Sequence, residues 1–286
     1  MTNKVFINNL ICDAEEAKIS IFDRGYLFSD GIYELIPYFN SKSFLFDGHY
    51  LRLEQSLKMI DLKNPYTKKE WISRINEITS SCKYKNFSLY IQVTRGIPEN
   101  FNDNNLREHA ATKNYMSSVV MFCSEISDLS KKTLVGQKAI VIEDKRWLQC
   151  DIKSIALLFN SYAKTLAHKE NAYEAILVRD GYVTEGCTSN VFIVKNNIIM
   201  TAPQSNLILP GVTRKFVIDE ISVRSNIDIS IQNYTEDELI NADEVFITNS
   251  TQGILPITKL NNNLLNNGSF GPVTEVLYKE LLQHIS

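Results

Sequence analysis

Pairs of turn-forming residues constrain this chain more than any other feature of it. Asn8-Asn9, Asn40-Ser41, Asp180-Gly181 and Asn196-Asn197 each stand between two short, apolar-rich runs. Two-residue loops of these types adopt positive φ at low cost and match the twist of the strands beside them, so each predicts an antiparallel hairpin. The runs they join are 5–7 with 10–11, 31–39 with 43–46, 174–179 with 182–184, and 191–194 with 198–201. Further β-rich runs lie at 87–94, 118–123, 139–142 and 244–248. Apolar spacing predicts helices over 49–60, 154–170, 211–223 and 273–284. Thr67 with Glu70 opens another helix, and Thr235 with Glu238 caps a short one. Helices interrupt these strands without a regular βαβ rhythm, which predicts an α+β architecture rather than a doubly wound sheet.

A chain of 286 residues with 44% hydrophobic and 22% charged residues can bury a substantial core in one or two domains. Residues 124–132 are polar and lack a packing pattern, so we expect a linker there, between a small N-terminal domain (1–123) and a larger C-terminal one (133–286). A net charge of −3, with no basic patch interleaved with aromatics, argues against a nucleic-acid partner or an anionic membrane surface. No apolar run is long enough to span a bilayer, and the opening Met1-Thr2-Asn3-Lys4 has no signal-peptide core, so a cytoplasmic protein is expected. The five cysteines are scattered, without a Cys-x-x-Cys or a close Cys/His pair. That usage fits reduced thiols and predicts no metal site. His49, His168 and His284 lack metal-ligand spacing and read as surface or packing residues.

Several residues carry chemistry. Lys153, in Arg146-Trp147-Leu148-Gln149-Cys150-Asp151-Ile152-Lys153-Ser154, lies between the 139–142 strand and a helix. At such a junction a lysine can escape full solvation and present a nucleophilic amine to a carbonyl. Lys164, further along the helix, is the nearby rival and lacks the strand-end position. Glu185 directly follows a strand in Val183-Thr184-Glu185-Gly186. Leu209-Pro210-Gly211-Val212-Thr213-Arg214 opens a helix whose first N–H groups and dipole favour an anion, and Thr248-Asn249-Ser250-Thr251 ends a strand in hydroxyls. Arg52 follows His49 on a helix, Tyr33 lies in a strand, and Arg107-Glu108-His109 offers a guanidinium and an imidazole suited to one carboxylate. No Gly-x-Gly-x-x-Gly or Walker-type loop is present, so the site is not nucleotide-like.

These words, in this order, resemble the fold-type IV pyridoxal-phosphate aminotransferases, and within them the D-amino-acid transaminases. The segments that carry the resemblance are Asp23-Arg24-Gly25 through Tyr33, His49-Tyr50-Leu51-Arg52-Leu53, Val93-Thr94-Arg95-Gly96, the Lys153 segment and Thr184-Glu185-Gly186 through Ser189-Asn190. The resemblance implies a two-domain fold with the cofactor, pyridoxal 5'-phosphate, in the interdomain cleft of a homodimer. It implies Lys153 as the residue that carries the cofactor and Glu185 as the partner of the ring nitrogen. Arg52, Val212, Thr213, Ser250 and Thr251 would hold the phosphate, and Tyr33, Arg107 and His109 the substrate carboxylate. The activity implied is transfer of an amino group from a D-amino acid to a 2-oxo acid such as 2-oxoglutarate or pyruvate. This sequence departs from the family by a longer segment, 97–106, before Arg107. A branched-chain L-aminotransferase or aminodeoxychorismate lyase of the same fold is the alternative reading, and a non-catalytic small-anion-binding protein is the alternative of another class.

Overall fold

The structure, a computed structural model, describes residues 4–100 and 107–285; part of the 97–106 segment therefore lies outside the described residues. The chain divides into two compact units, Met1–Ile126 with Ile152–Ala156, and Ser127–Asp151 with Leu157–Ser286. The segment Ile152–Ala156, which carries Lys153, groups with the first unit although it lies within the 133–286 range expected for the C-terminal domain.

That unit is built on a six-stranded antiparallel sheet. Its elements are β1 (Lys4–Ile7), β2 (Leu10–Asp13), α1 (Arg24–Phe28), β3 (Gly31–Phe39), β4 (Lys42–Ser43), α2 (Phe46–Met59), α3 (Lys68–Ser80), β5 (Phe87–Pro98) and β6 (Tyr115–Glu125), with strand order β2-β1-β6-β5-β3-β4. Asn8 and Asn9 both adopt positive φ, as do Asn40 and Ser41, so the expected tight turns form. The capping box of Thr67 and Glu70 also forms and fixes the start of α3. One face of the sheet buries Phe6, Ile32, Leu89 and Met121 against Leu57 of α2 and Trp71 of α3. Strands β5 and β6 run well past the ends expected at 94 and 118, because a bulge at Gly96 lets the ladder continue through Ile97–Met116 and Pro98–Tyr115. A side chain could not replace that glycine: φ is +78°, and a Cβ would fall 1.7 Å from the Met116 carbonyl oxygen.

The second unit holds a mixed nine-stranded sheet. Its elements are β7 (Gln137–Glu143), α4 (Leu158–Lys169), β8 (Glu174–Arg179), β9 (Tyr182–Gly186), β10 (Asn190–Lys195), β11 (Ile198–Thr201), α5 (Val212–Phe216), α6 (Ser222–Arg224), β12 (Ile229–Ile231), α7 (Glu236–Ile240), β13 (Glu244–Asn249), β14 (Gly253–Leu260), β15 (Asn263–Leu264) and α8 (Pro272–Ile285). The strand order is β12-β11-β10-β13-β14-β7-β8-β9, with β15 on β14. A π-turn, Val217–Ile221, joins α5 to α6, so one continuous helical path replaces the uniform helix expected over 211–223. Helix α4 begins at Leu158 rather than at 154, because Ile152–Ala156 pairs elsewhere. Phe192 and Phe246 stack at 4.8 Å in the centre of the sheet, and Ala163 and Ala167 let α4 lie close over Ala175 and Leu177.

Candidate active site

In the first unit, Lys153 is fixed by its backbone. Its carbonyl accepts from Tyr33 N (2.9 Å), its N–H donates to Ser56 Oγ (3.2 Å), and Ile155 N donates to Gly31 O (3.1 Å). Ser154 thereby bridges Ile32 antiparallel, on the edge of β3 away from β5. The Lys153 amine lies 4.3 Å from the centre of the Tyr33 ring. Among the described residues no carboxylate lies within ion-pair distance of it, so the amine is available to a ligand.

The two-residue period of β3 sends Glu34 to the opposite face from Tyr33, among Ile32 and Ile36. A buried carboxylate needs partners, and α2 supplies them at i and i+3. Arg52 grips Glu34 through two nitrogens (Nε–Oε2 2.9 Å, Nη2–Oε1 2.7 Å), and His49 Nδ1 lies 2.9 Å from Oε1. Burial pushes the Glu34 carboxyl up, but Arg52 and His49 override it and hold it well below the ordinary range. Burial pushes the His49 imidazole down, against the opposing pull of Glu34. The histidine read as surface or packing is thus a member of a buried polar network, and Arg52 has an internal carboxylate partner that the sequence reading did not include.

Arg107 and His109 are exposed, and both rest on one aromatic ring. The Arg107 guanidinium lies 5.0 Å, and the His109 ring 5.1 Å, from the centre of Phe28.

In the second unit, Glu185 is buried at the end of β9, and each of its carboxylate oxygens has partners. Oε1 accepts from Arg146 Nη1 (2.5 Å); Oε2 accepts from Asn190 Nδ2 (3.1 Å) and Leu209 N (3.0 Å). Burial raises its carboxyl to about 7, against the lowering influence of Arg146 and of the Leu209 N–H. Arg146 is itself shared with Asp144 (Nη2–Oδ2 2.8 Å), which also accepts from Thr184 Oγ1 (3.0 Å) and pairs with the Arg179 guanidinium at 3.1 Å. Asn190 donates a second hydrogen bond to Leu209 O (3.0 Å) and packs where any Cβ on Gly211 would lie, 1.9 Å from its Oδ1. Glu185 and the helix start at Val212 and Thr213, both buried, are therefore one assembly.

The loop between Glu185 and Asn190 is held from below by Glu174. This wholly buried carboxylate accepts from Cys187 Sγ (2.6 Å), Thr188 Oγ1 (2.7 Å) and Ser189 Oγ (2.9 Å). Lys164 is tied to the Tyr173 carbonyl and lies 3.8 Å from Glu174. It is a structural lysine, with a fixed partner that Lys153 does not have. Ser250 and Thr251 lie in the turn after β13, where Asn249 Oδ1 accepts from Thr251 N (3.1 Å) and Gln252 N (2.9 Å).

Sequence reasoning names Lys153, Glu185, Tyr33 and the Val212–Thr213 turn as candidates, and it does not include Glu34, Asp144 and Glu174, the buried carboxylates that hold the surrounding groups. Those three carboxylates sit in strands or at strand ends; Glu34 and Glu174 are charged among apolar neighbours, and Asp144 is lost in the charged run Glu143-Asp144-Lys145-Arg146. Arg146 and Asn190 lay inside the quoted motifs without an assigned role.

Residues 31–260 match the family described as amino-transferase class IV. The chain is 39% identical over 283 residues to a D-alanine aminotransferase of Staphylococcus haemolyticus, covering 99% of this chain and 98% of that protein. It is 37% identical over 272 residues to one of Bacillus licheniformis, covering 95% and 93%. Among solved structures it resembles a branched-chain aminotransferase from Thermoproteus uzoniensis with norvaline, at a TM-score of 0.84 and 25% identity over 100% of this chain and 95% of that one.

Proposed function

The chain belongs to the class IV aminotransferases, and from that premise we propose that it transfers the amino group of a D-amino acid to a 2-oxo acid, with pyridoxal 5'-phosphate as cofactor. The donor set fits this cofactor: an amine without a carboxylate partner at Lys153, a buried carboxyl raised to about 7 at Glu185, and N–H groups at the Gly211–Val212 helix start. When bound, the cofactor supplies a carbonyl that takes up the amino group and a ring that accepts electrons from the substrate α-carbon.

The chain's own residues do the rest. The Lys153 amine would hold the cofactor by its carbonyl and, when free, would move the proton of the substrate α-carbon. Glu185, kept in place by Arg146 and Asn190, would hold a proton at the ring nitrogen. Val212, Thr213, Ser250 and Thr251 hold the phosphate together with Arg52, whose guanidinium is oriented by Glu34. Tyr33, Arg107 and His109 take the substrate carboxylate. Because donor and acceptor would use these same residues in turn, the oxo-acid product must leave before the second oxo acid binds, the order of ping-pong kinetics.

The observation that carries the reading is the Glu185 assembly, in which a buried carboxylate is joined through Arg146, Asn190 and the Leu209 N–H to the segment that opens the helix of Val212 and Thr213. The preference for D-amino acids is supported by the D-alanine aminotransferases, which match over nearly the whole chain, and by the Arg107/His109 pair. A homodimer is supported by exposed apolar side chains on the second unit, among them Leu158, Tyr162 and Leu148. The test is amino transfer to 2-oxoglutarate from D-alanine against L-alanine and L-leucine. Turnover with the D-donor alone is expected; turnover with L-leucine alone would make the chain a branched-chain enzyme. Arg107→Ala is expected to raise KM for both donor and acceptor by one to two decades, because it removes a charge-assisted contact of roughly 1.5–3 kcal/mol.

A further inference from the structure

We propose that Arg24 and Phe28 of α1, acting with Asp30, are positioning residues that set where Arg107 and His109 stand, and so determine how tightly a substrate carboxylate is held. The proposal rests on the reading of that pair as the carboxylate ligand. The β5–β6 ladder ends as Glu99 N donates to Asn114 O (3.1 Å). Within β5, Arg95 donates from Nε to Asp30 Oδ2 (2.9 Å). Its two terminal nitrogens donate to the Ile60 and Asp61 carbonyls (2.8 and 3.0 Å). From α1, Arg24 donates from Nε to the same Asp30 oxygen (2.7 Å), and its Nη1 and Nη2 donate to the carbonyls of Glu108 (2.6 Å) and His109 (2.8 Å). Strand β5, through Arg95, and residues 108–109, through Arg24, are therefore tied to one and the same carboxylate oxygen.

Arg24 is buried, 6% exposed, and its guanidinium lies 4.7 Å from the Phe28 centre. The same ring carries Arg107 and His109 at 5.0 and 5.1 Å. Among the described residues Phe28 is the one aromatic ring against which Arg107 packs. An exposed arginine on a loop otherwise loses much rotamer freedom on binding, so a backbone clamp and a shared ring lower that cost before substrate arrives. The effect falls on any substrate or product with an α-carboxylate, amino acid and oxo acid alike.

The test uses the cofactor-loaded enzyme. Arg24→Lys keeps a charge for Asp30 but has one nitrogen and cannot span both carbonyls; Phe28→Leu keeps apolar volume and removes the ring. Each is expected to raise KM for D-alanine and for 2-oxoglutarate about ten-fold, with kcat and the visible cofactor absorbance unchanged. Added to Arg107→Ala, Arg24→Lys is expected to cost less than it does alone, because it then acts through His109 only. Wild-type KM values in Arg24→Lys and Phe28→Leu, with a raised KM in Arg107→Ala, would overturn the positioning role and leave the carboxylate reading standing. Unchanged KM in Arg107→Ala would overturn both. A loss of kcat and of cofactor absorbance in both anchor variants would show a general structural role and would overturn the proposal too.

Discussion

Lys153 and Glu185 differ in how they are made fit for their roles. The hydrogen bonds that place the lysine are made by its own main-chain N–H and carbonyl, so Lys153→Ala is expected to abolish turnover while leaving the unfolding midpoint nearly unchanged; near wild-type turnover would remove Lys153 from the mechanism. Glu185 is instead held by side chains and carries a thermodynamic signature. Its carboxyl is raised from an ordinary 4.5 to about 7, so folding favours the protonated form. The stability this group contributes is full below about pH 4.5 and is lost as pH rises through about 7. In cofactor-free protein, the step from about pH 5 to about pH 8 is therefore expected to cost wild type on the order of a few kcal/mol more than Glu185→Gln, which cannot ionise. Urea unfolding at the two pH values measures the difference, and equal pH dependence in both proteins would contradict it. Both residues were legible in the sequence because the motifs around them are contiguous. Arg146 and Asp144 reach Glu185 from the end of β7, with β8 between them, and Glu34 meets Arg52 across a strand–helix contact, so neighbouring residues give no sign of those pairings.

Among the elements, hairpins were the most readable, since Asn-Asn and Asp-Gly turns state both strand ends at once. Strand β14 was not, because Pro256 in its middle argues against a strand; yet it pairs with Phe246 and becomes central to the sheet. Helix α1 is too short for a periodic signal, although Asp23 caps it through Gly25 N (2.7 Å). The loop from Glu185 to Asn190 was legible as a motif but not as a structure, because its support, Glu174, comes from the neighbouring strand β8. Glu174→Ala would leave buried hydroxyls and a thiol without their acceptor. The expected loss is roughly 3 kcal/mol or more of stability, together with weaker cofactor retention, read by urea unfolding and by visible absorbance after dialysis. Gly96→Ala is expected to be comparably damaging in the first unit, because the obstacle is a backbone carbonyl that cannot swing aside.

At the scale of the whole molecule, each unit carries its own core, and the start of α4 leaves Leu157, Leu158 and Tyr162 exposed. Leu158 is 87% and Tyr162 58% exposed, one helical turn apart. If this surface closes a dimer, Leu158→Glu is expected to shift the sedimentation coefficient toward that of a monomer, and an unchanged value would place the subunit contact elsewhere. Among the described residues no helix is long and apolar enough to cross a membrane. The chain also turns corners with asparagine where glycine would serve: Asn8, Asn9, Asn196, Asn197, Asn261 and Asn267 all take positive φ. Asparagine narrows the freedom of the unfolded chain relative to glycine and tolerates the left-handed region. It is also among the residues that heat attacks chemically. The turns that specify this fold are thus the places where it ages: on long storage below its melting temperature, acidic charge variants should arise first in peptides that span these turns, and the folded protein's shelf life would be set by amide chemistry before it is set by unfolding.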